Sequence, residues 1–237
     1  LTSFVYVEQR NQTNTPERIE ILPPPGGYFA DKIFFTSFPD TAEGTPGFTG
    51  YLTMVNPDSS GYVVLDEENN AGLFAVSPDE HTVAYGGGET AWLYHLDTNV
   101  REVFDPAAYG LPEVAFLSSP AWSPNGEMLA WIASGNFGGQ EAFALAVFDL
   151  KAGVGAIFHP HQLSGLGGFP PAGVWNPDGE YVALNTFNAD TGLPETWIVP
   201  VVPLFNRRPE FRVGGSYPVW SFEGRRLVVV SSEDGNL

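Results

Sequence analysis

The chain has 237 residues, with 28 Asp and Glu against 10 Lys and Arg, a formal net charge of −18. Such acidity excludes the positive footprint that nucleic-acid phosphates and anionic membrane surfaces require, and its plain physical reading is solubility. Cysteine is absent, which excludes a disulfide framework and a thiolate metal site, and no stretch approaches the about 18 consecutive apolar residues of a membrane helix.

Taken in order, residues 4–7 read as a strand, and residues 18–22 alternate charged and apolar side chains like a half-buried edge strand. Pro23-Pro24-Pro25-Gly26-Gly27 breaks the chain there. Residues 28–30, a turn at Asp31-Lys32 and residues 33–35 predict a hairpin. A Gly, Pro and Thr-rich loop over 37–49 precedes strands at 51–55 and 62–65. A second unit follows, with strands at 73–76, 82–85, 91–96 and 101–104. The third has strands at 120–122, 128–133, 142–148 and 155–158, and the fourth at 172–175, 181–186, 196–201 and 210–213. Strands at 217–220 and 226–230 end the series.

The units share a turn. Trp122-Ser123-Pro124-Asn125-Gly126 is echoed at Val76-Ser77-Pro78-Asp79, at Trp175-Asn176-Pro177-Asp178-Gly179 and at Trp220-Ser221-Phe222-Glu223-Gly224. The anchors Val76, Trp122, Trp175 and Trp220 lie 46, 53 and 45 residues apart (122−76, 175−122, 220−175). Proline presets φ, Asn or Asp tolerates the next position, and glycine takes the positive φ that follows. Asp79, Asn125 and Asp178 therefore read as turn chemistry rather than catalysis, and the aromatic ahead of the turn is expected between neighbouring units.

Four strands per unit at this period predict an all-β propeller of four-stranded antiparallel blades. Small pairs before the inner strands, such as Gly26-Gly27, Ser118-Ser119 and Gly215-Ser216, suit a crowded axis. The chain opens on two outer-type strands and closes on two inner-type strands. The N-terminal strands can thus complete the C-terminal blade and leave no open edge, giving five blades in one domain over residues 1–237.

The Ser-Pro-Asn-Gly and Asn-Pro-Asp-Gly turns, with Leu129-Ala130, Val182-Ala183 and Val83-Ala84 behind them, resemble the TolB-like β-propeller repeat, a relative of the tryptophan–aspartate repeats. The likeness covers roughly residues 71 to 230. The first unit lacks the motif, and the last has Phe222-Glu223 in place of Pro-Asp. The resemblance implies six blades as the alternative to five. It also implies a bacterial, extracytoplasmic protein serving as a protein-binding platform beside a neighbouring domain.

In a propeller, the loops from outermost to next innermost strand and from second to third strand share one face. Here they include 37–49, 105–116, 135–140, 159–171 and 187–195, the long ones. Function favours loops on a rigid scaffold, so the expected ligand-binding set is Phe48, Tyr109, Glu113, Asn136, Phe137, Gln140, Phe169, Asn188 and Asp190. Aromatic, amide and acidic groups in that mixture suit a protein, peptide or glycan; the competing reading folds the aromatics down as lids. No catalytic residue, cofactor or metal is assigned. His159-Pro160-His161 lacks a third ligand, and Asp66-Glu67-Glu68 reads as solvated charge. A glycan-active hydrolase is the alternative, using Asp31 or Glu113 with a second acid in the axial funnel. The basic residues gather late, at Arg207, Arg208, Arg212, Arg225 and Arg226; they read as a solvated rim or as a patch for an acidic partner.

Overall fold

The computed structural model describes residues 32–38, 50–67, 71–86, 90–158, 173–188, 190–202, 204, 210–224 and 226–230. The first sheet is β1 (Ile33–Ser37), β2 (Tyr51–Val55) and β3 (Val63–Asp66). The second is β4 (Leu73–Val76), β5 (Thr82–Gly86), β6 (Ala91–His95) and β7 (Val100–Phe104). The third is β8 (Val114–Trp122), β9 (Met128–Phe137), β10 (Gln140–Asp149) and β11 (Val154–Phe158). The fourth is β12 (Val174–Trp175), β13 (Tyr181–Phe187), β14 (Pro194–Pro200) and β15 (Phe211–Gly214). β16 (Ser216–Trp220) and β17 (Leu227–Val230) form the fifth. Each sheet is an antiparallel meander in chain order. The all-β expectation and the repeated four-stranded sheet hold; among the described residues one 3-10 turn, Pro106–Tyr109, is helical. The strands expected at 4–7, 18–22 and 28–30, on which ring closure and the number of blades depend, lie outside the described residues.

The shared turn forms by the same bonds each time. Ser123 N–H donates to Met128 O and Gly126 N–H to Ser123 O, both at 2.9 Å. Met128 N–H donates to Ser123 Oγ at 2.9 Å. Ser77 with Glu80 and Thr82, Asn176 with Gly179 and Tyr181, and Ser221 with Gly224 and Arg226 repeat the pattern. Asp79 Oδ1 and Asn125 Oδ1 accept backbone N–H groups of His81 and Glu127 at 3.1 Å, which is the turn role expected of them.

The fourth residue after each anchor is left-handed: Gly126 and Gly179 at φ 72°, Gly224 at 69°, and Glu80 at 63°. A side chain there costs about 1–2 kcal/mol. Glycine gives back part of that through its larger unfolded-state entropy. Glu80→Gly is therefore expected to raise stability by about 0.5–1 kcal/mol, read as a higher midpoint in thermal unfolding; a lower midpoint would show the strain is absent.

The anchors tie sheet to sheet. The indole N–H of Trp122 donates to Ala75 O at 3.1 Å, that of Trp175 to Ala121 O at 2.9 Å, and that of Trp220 to Val174 O at 3.1 Å. Each acceptor is the residue just before the anchor of the preceding unit. Around these bonds the core divides into inter-sheet layers. Leu52 meets Val83, Tyr85 and Tyr94 between sheets one and two. Phe104 meets Trp131 and Phe148 between two and three. Leu145 and Val147 meet Val182, Leu184 and Trp197 between three and four.

Candidate functional site

Two connections at the expected face are fully described. Between β7 and β8, Asp105 caps the 3-10 turn, its Oδ1 accepting Ala107 N–H at 2.9 Å, and Gly110 ends it at φ 81°. Tyr109 stacks on Phe104 with centroids 5.1 Å apart and meets Phe148 edge-on at 5.4 Å. Burial, then the charge of Glu102, pushes its hydroxyl pKa up. Tyr109 is thus a lid over the second and third sheets rather than a presented aromatic. Glu113 is exposed ahead of β8, and its carbonyl lies where a Cβ on residue 135 would stand, so Gly135 admits the close backbone approach.

The segment 135–140 was expected as a loop, and the structure corrects this. β9 runs to Phe137 and β10 begins at Gln140. Gly138 at φ 66° and Gly139 at φ 90° make the two-residue turn, the mirror-image geometry that matches strand twist. Asn136 Oδ1 accepts Gly139 N–H at 2.9 Å and holds it. Strand alternation then sends Phe137 inward, and it is buried with Phe104, Trp131 and Phe148. Phe137 therefore belongs to the core and not to a ligand surface. Asn136 and Gln140 are exposed as expected. The signal was present in the sequence: Gly-Gly between two apolar runs is a hairpin sign.

The loop expected over 187–195 shortens to 188–193, because β14 starts at Pro194. Asn188 Oδ1 accepts N–H from Asp190 at 3.1 Å and Thr191 at 3.0 Å. Its Nδ2 donates to Glu195 Oε2 at 2.9 Å. Glu195 is buried and also meets Arg212 Nη1 at 3.4 Å, while the Arg212 guanidinium lies over Trp197 at 5.8 Å. Asn188 is thus occupied in holding its own loop, Asp190 stands exposed beside it, and Arg212 belongs to this network more than to a docking patch. Phe48, Phe169, Asp31, His159, His161, Arg207, Arg208 and Arg225 lie outside the described residues. The described inner strands β4, β8, β12 and β16 contain no carboxylate.

Two features escaped sequence reasoning. Asp66, expected as solvated charge, is buried. Arg101 Nη1 donates to its Oδ1 at 2.8 Å and Tyr85 Oη to its Oδ2 at 2.5 Å, so an acid at the end of β3 in sheet one is held by two residues of sheet two. The second is on β10. β11 accompanies β10 only from Leu145 to Asp149. The outer edge from Gln140 to Ala144 therefore has no strand beside it among the described residues, and Phe143 is exposed on it. No periodicity marks where a strand outruns its neighbour.

No protein-family model and no curated protein sequence matches the chain. Solved structures do. TolB from Acinetobacter baumannii superposes with a TM-score of 0.58 at 18% identity, over 89% of this chain and 49% of that one. Hydrazine synthase of Kuenenia stuttgartiensis gives 0.57 at 12%, over 87% and 67%. The β-propeller domain of Cps50 (Swd1) from Myceliophteria thermophila gives 0.50 at 12%, over 84% and 58%. The fold is thus that of the TolB-like β-propellers, and the chain spans about half the length of that TolB.

Proposed function

We propose that the 237 residues act as one non-catalytic binding domain that captures an extended, basic segment of a partner protein at the β9–β10 hairpin. The carrying observation is the outer edge of Gln140–Ala144, which has no strand beside it among the described residues, with Phe143 exposed on it. An extended peptide can add a strand there, its main chain pairing with the edge and an apolar side chain meeting Phe143. Glu141, exposed two residues from Phe143 on the same side of the strand, and the net charge of −18 favour positive charge on the peptide and fast encounter. An extracytoplasmic location, implied by the repeat, belongs to the same proposal. Peptide recognition is favoured over glycan recognition because Tyr109 and Phe137, the two described aromatics of the expected set, are engaged in the core.

The test is an array of extended peptides of basic, neutral and acidic character beside a glycan array. Basic peptides should be retained. Phe143→Ala should weaken that retention about ten-fold, as the loss of a contact worth above about 1 kcal/mol does, with the melting temperature unchanged. Glycan capture, or equal peptide capture by the variant, would sink the proposal.

A further inference from the structure

The β10 edge has a backbone phase, and two turn bonds fix it. In an antiparallel pair every second residue exchanges both backbone hydrogen bonds with the strand on one side, and the residues between turn theirs to the other side. Just past β10, Leu150 N–H donates to Glu127 O at 3.0 Å, so the even-numbered residues bond to β9. The register between β9 and β10 runs from Asp149↔Met128 to Gln140↔Phe137 without a shift, and the phase carries unbroken to the hairpin. Gln140, Ala142 and Ala144 therefore direct their bonds to β9. On the other side, Gly153 N–H donates to Asp149 O at 2.9 Å, so the odd-numbered residues face β11. Asp149, Val147 and Leu145 stand opposite Val154, Ala156 and Phe158. The next two odd residues are Phe143 and Glu141. Their N–H and C=O groups point outward, where no strand lies beside them among the described residues.

Strand alternation puts the side chains of 141 and 143 on one face. Ala142 and Ala144 take the other and pack into the layer between the second and third sheets. The two residues that offer backbone groups to an added strand are thus the same two that offer it an aromatic ring and a carboxylate, and both are exposed. A strand paired antiparallel places one residue directly opposite Phe143 and another, two residues later, opposite Glu141. Each exchanges both hydrogen bonds with its partner at a Cα separation of about 5.5 Å, which brings its side chain against the ring or the carboxylate. Antiparallel is the orientation of the described pairs in this sheet, and it is the more stable of the two per residue. The window is short, because Leu145 already faces Phe158 and the strand starts at Gln140.

We infer that the β10 edge selects its partner segment by the order apolar–any–basic, read from N- to C-terminus. The apolar residue lies against Phe143 and the basic one against Glu141, where opposite charge is the favourable cross-strand pair. This rests on the peptide-binding role proposed above and gives that role a sequence requirement. A parallel strand reverses the order to basic–any–apolar. It also bonds through the residues that flank the recognised ones, because parallel bonds are slanted, so the two arrangements have different signatures.

The test titrates two peptides of one composition, acetyl-Thr-Ile-Thr-Lys-Thr-amide and acetyl-Thr-Lys-Thr-Ile-Thr-amide, into the 237-residue chain. Binding is read from the NMR shifts of the Glu141 and Phe143 amides. The first peptide should bind about five-fold more tightly, since both cross-strand pairs are favourable in that order and neither in the other. N-methylation of its isoleucine or its lysine should weaken binding about ten-fold through loss of a backbone hydrogen bond. The same change on the threonine between them should leave binding within about two-fold, because that N–H points away from β10. Glu141→Lys should transfer the preference to a peptide with glutamate in place of lysine. Equal binding of the two peptides, preference for the reversed one, or a methyl effect at the middle threonine as large as at its neighbours would overturn the inferred order and leave peptide capture at the edge standing. If neither peptide moves those amides, or if they are protected from solvent exchange before any peptide is added, the edge reading falls and this inference with it.

Discussion

Asp66→Ala is expected to destabilise the chain by about 2–4 kcal/mol, although residue 66 lies in none of the repeated turns. Its carboxylate is buried at the end of β3 and accepts from Arg101 and Tyr85 across the boundary between the first two sheets. Breaking a buried pair from one side typically costs about 3–5 kcal/mol because a charge is left without its partner. Here the group that loses the carboxylate is Arg101, whose side chain is 36% exposed and whose guanidinium also lies over the Trp92 ring, so part of the loss is recovered and the lower range applies. Tyr85→Phe removes only a neutral donor and should cost about 1 kcal/mol. Urea denaturation of the two variants orders them, and an Asp66→Ala effect no larger than that of Tyr85→Phe would show the ion pair contributes nothing.

The same cluster sets a pH dependence. Burial first, and then the hydrogen bond and charge of Asp66, hold the Tyr85 hydroxyl above its ordinary pKa of 10.0. Below that value both folded and unfolded chains keep the proton, and the contribution of the neutral phenol is fully present. Above it the unfolded chain loses its proton first, so stability falls as pH rises. Tyr94 and Tyr109 are shifted the same way by burial. The check is therefore a difference: the alkaline decline should be shallower in Tyr85→Phe than in the parent chain.

What could be read in the sequence divides along a physical line. The turns are local. Ser123, Pro124 and Gly126 act on backbone within five residues, and their chemistry placed β4, β5, β9, β13 and β17 within a few residues of where they lie. The anchors were legible too, because a tryptophan before such a turn has little room except between sheets. The candidate site was harder, because it depends on how far strands run past one another. Gly138-Gly139 continued a hairpin that looked like a loop, and Phe137 turned inward with it. Asp66 was misread for a related reason. A carboxylate next to Glu67 and Glu68 looks solvated until Arg101, 35 residues on, is brought against it. Charge pairing across a sheet boundary has no period and leaves no trace in composition.

The largest single effect should come from the middle of the indole series. Trp175 is buried between the third and fourth sheets, packed with Ala130, Ile132 and Val182, and its N–H reaches Ala121 O at 2.9 Å. Truncating a buried tryptophan costs about 3–5 kcal/mol through lost apolar burial and the cavity left behind. Trp175→Ala removes the hydrogen bond as well and leaves the Ala121 carbonyl without its indole partner, which places the effect toward the upper end of that range. Trp175→Phe separates the two contributions. It keeps most of the ring in place and deletes the N–H, so it should cost roughly 1–3 kcal/mol. Trp122→Phe breaks the equivalent bond one sheet earlier, to Ala75. If each indole acts as an independent clasp between adjacent sheets, the two phenylalanine substitutions should add within about 0.5 kcal/mol in chemical denaturation. A double variant less destabilised than that sum would show that the sheets transmit the loss of one clasp to the next and that the array unfolds as one unit.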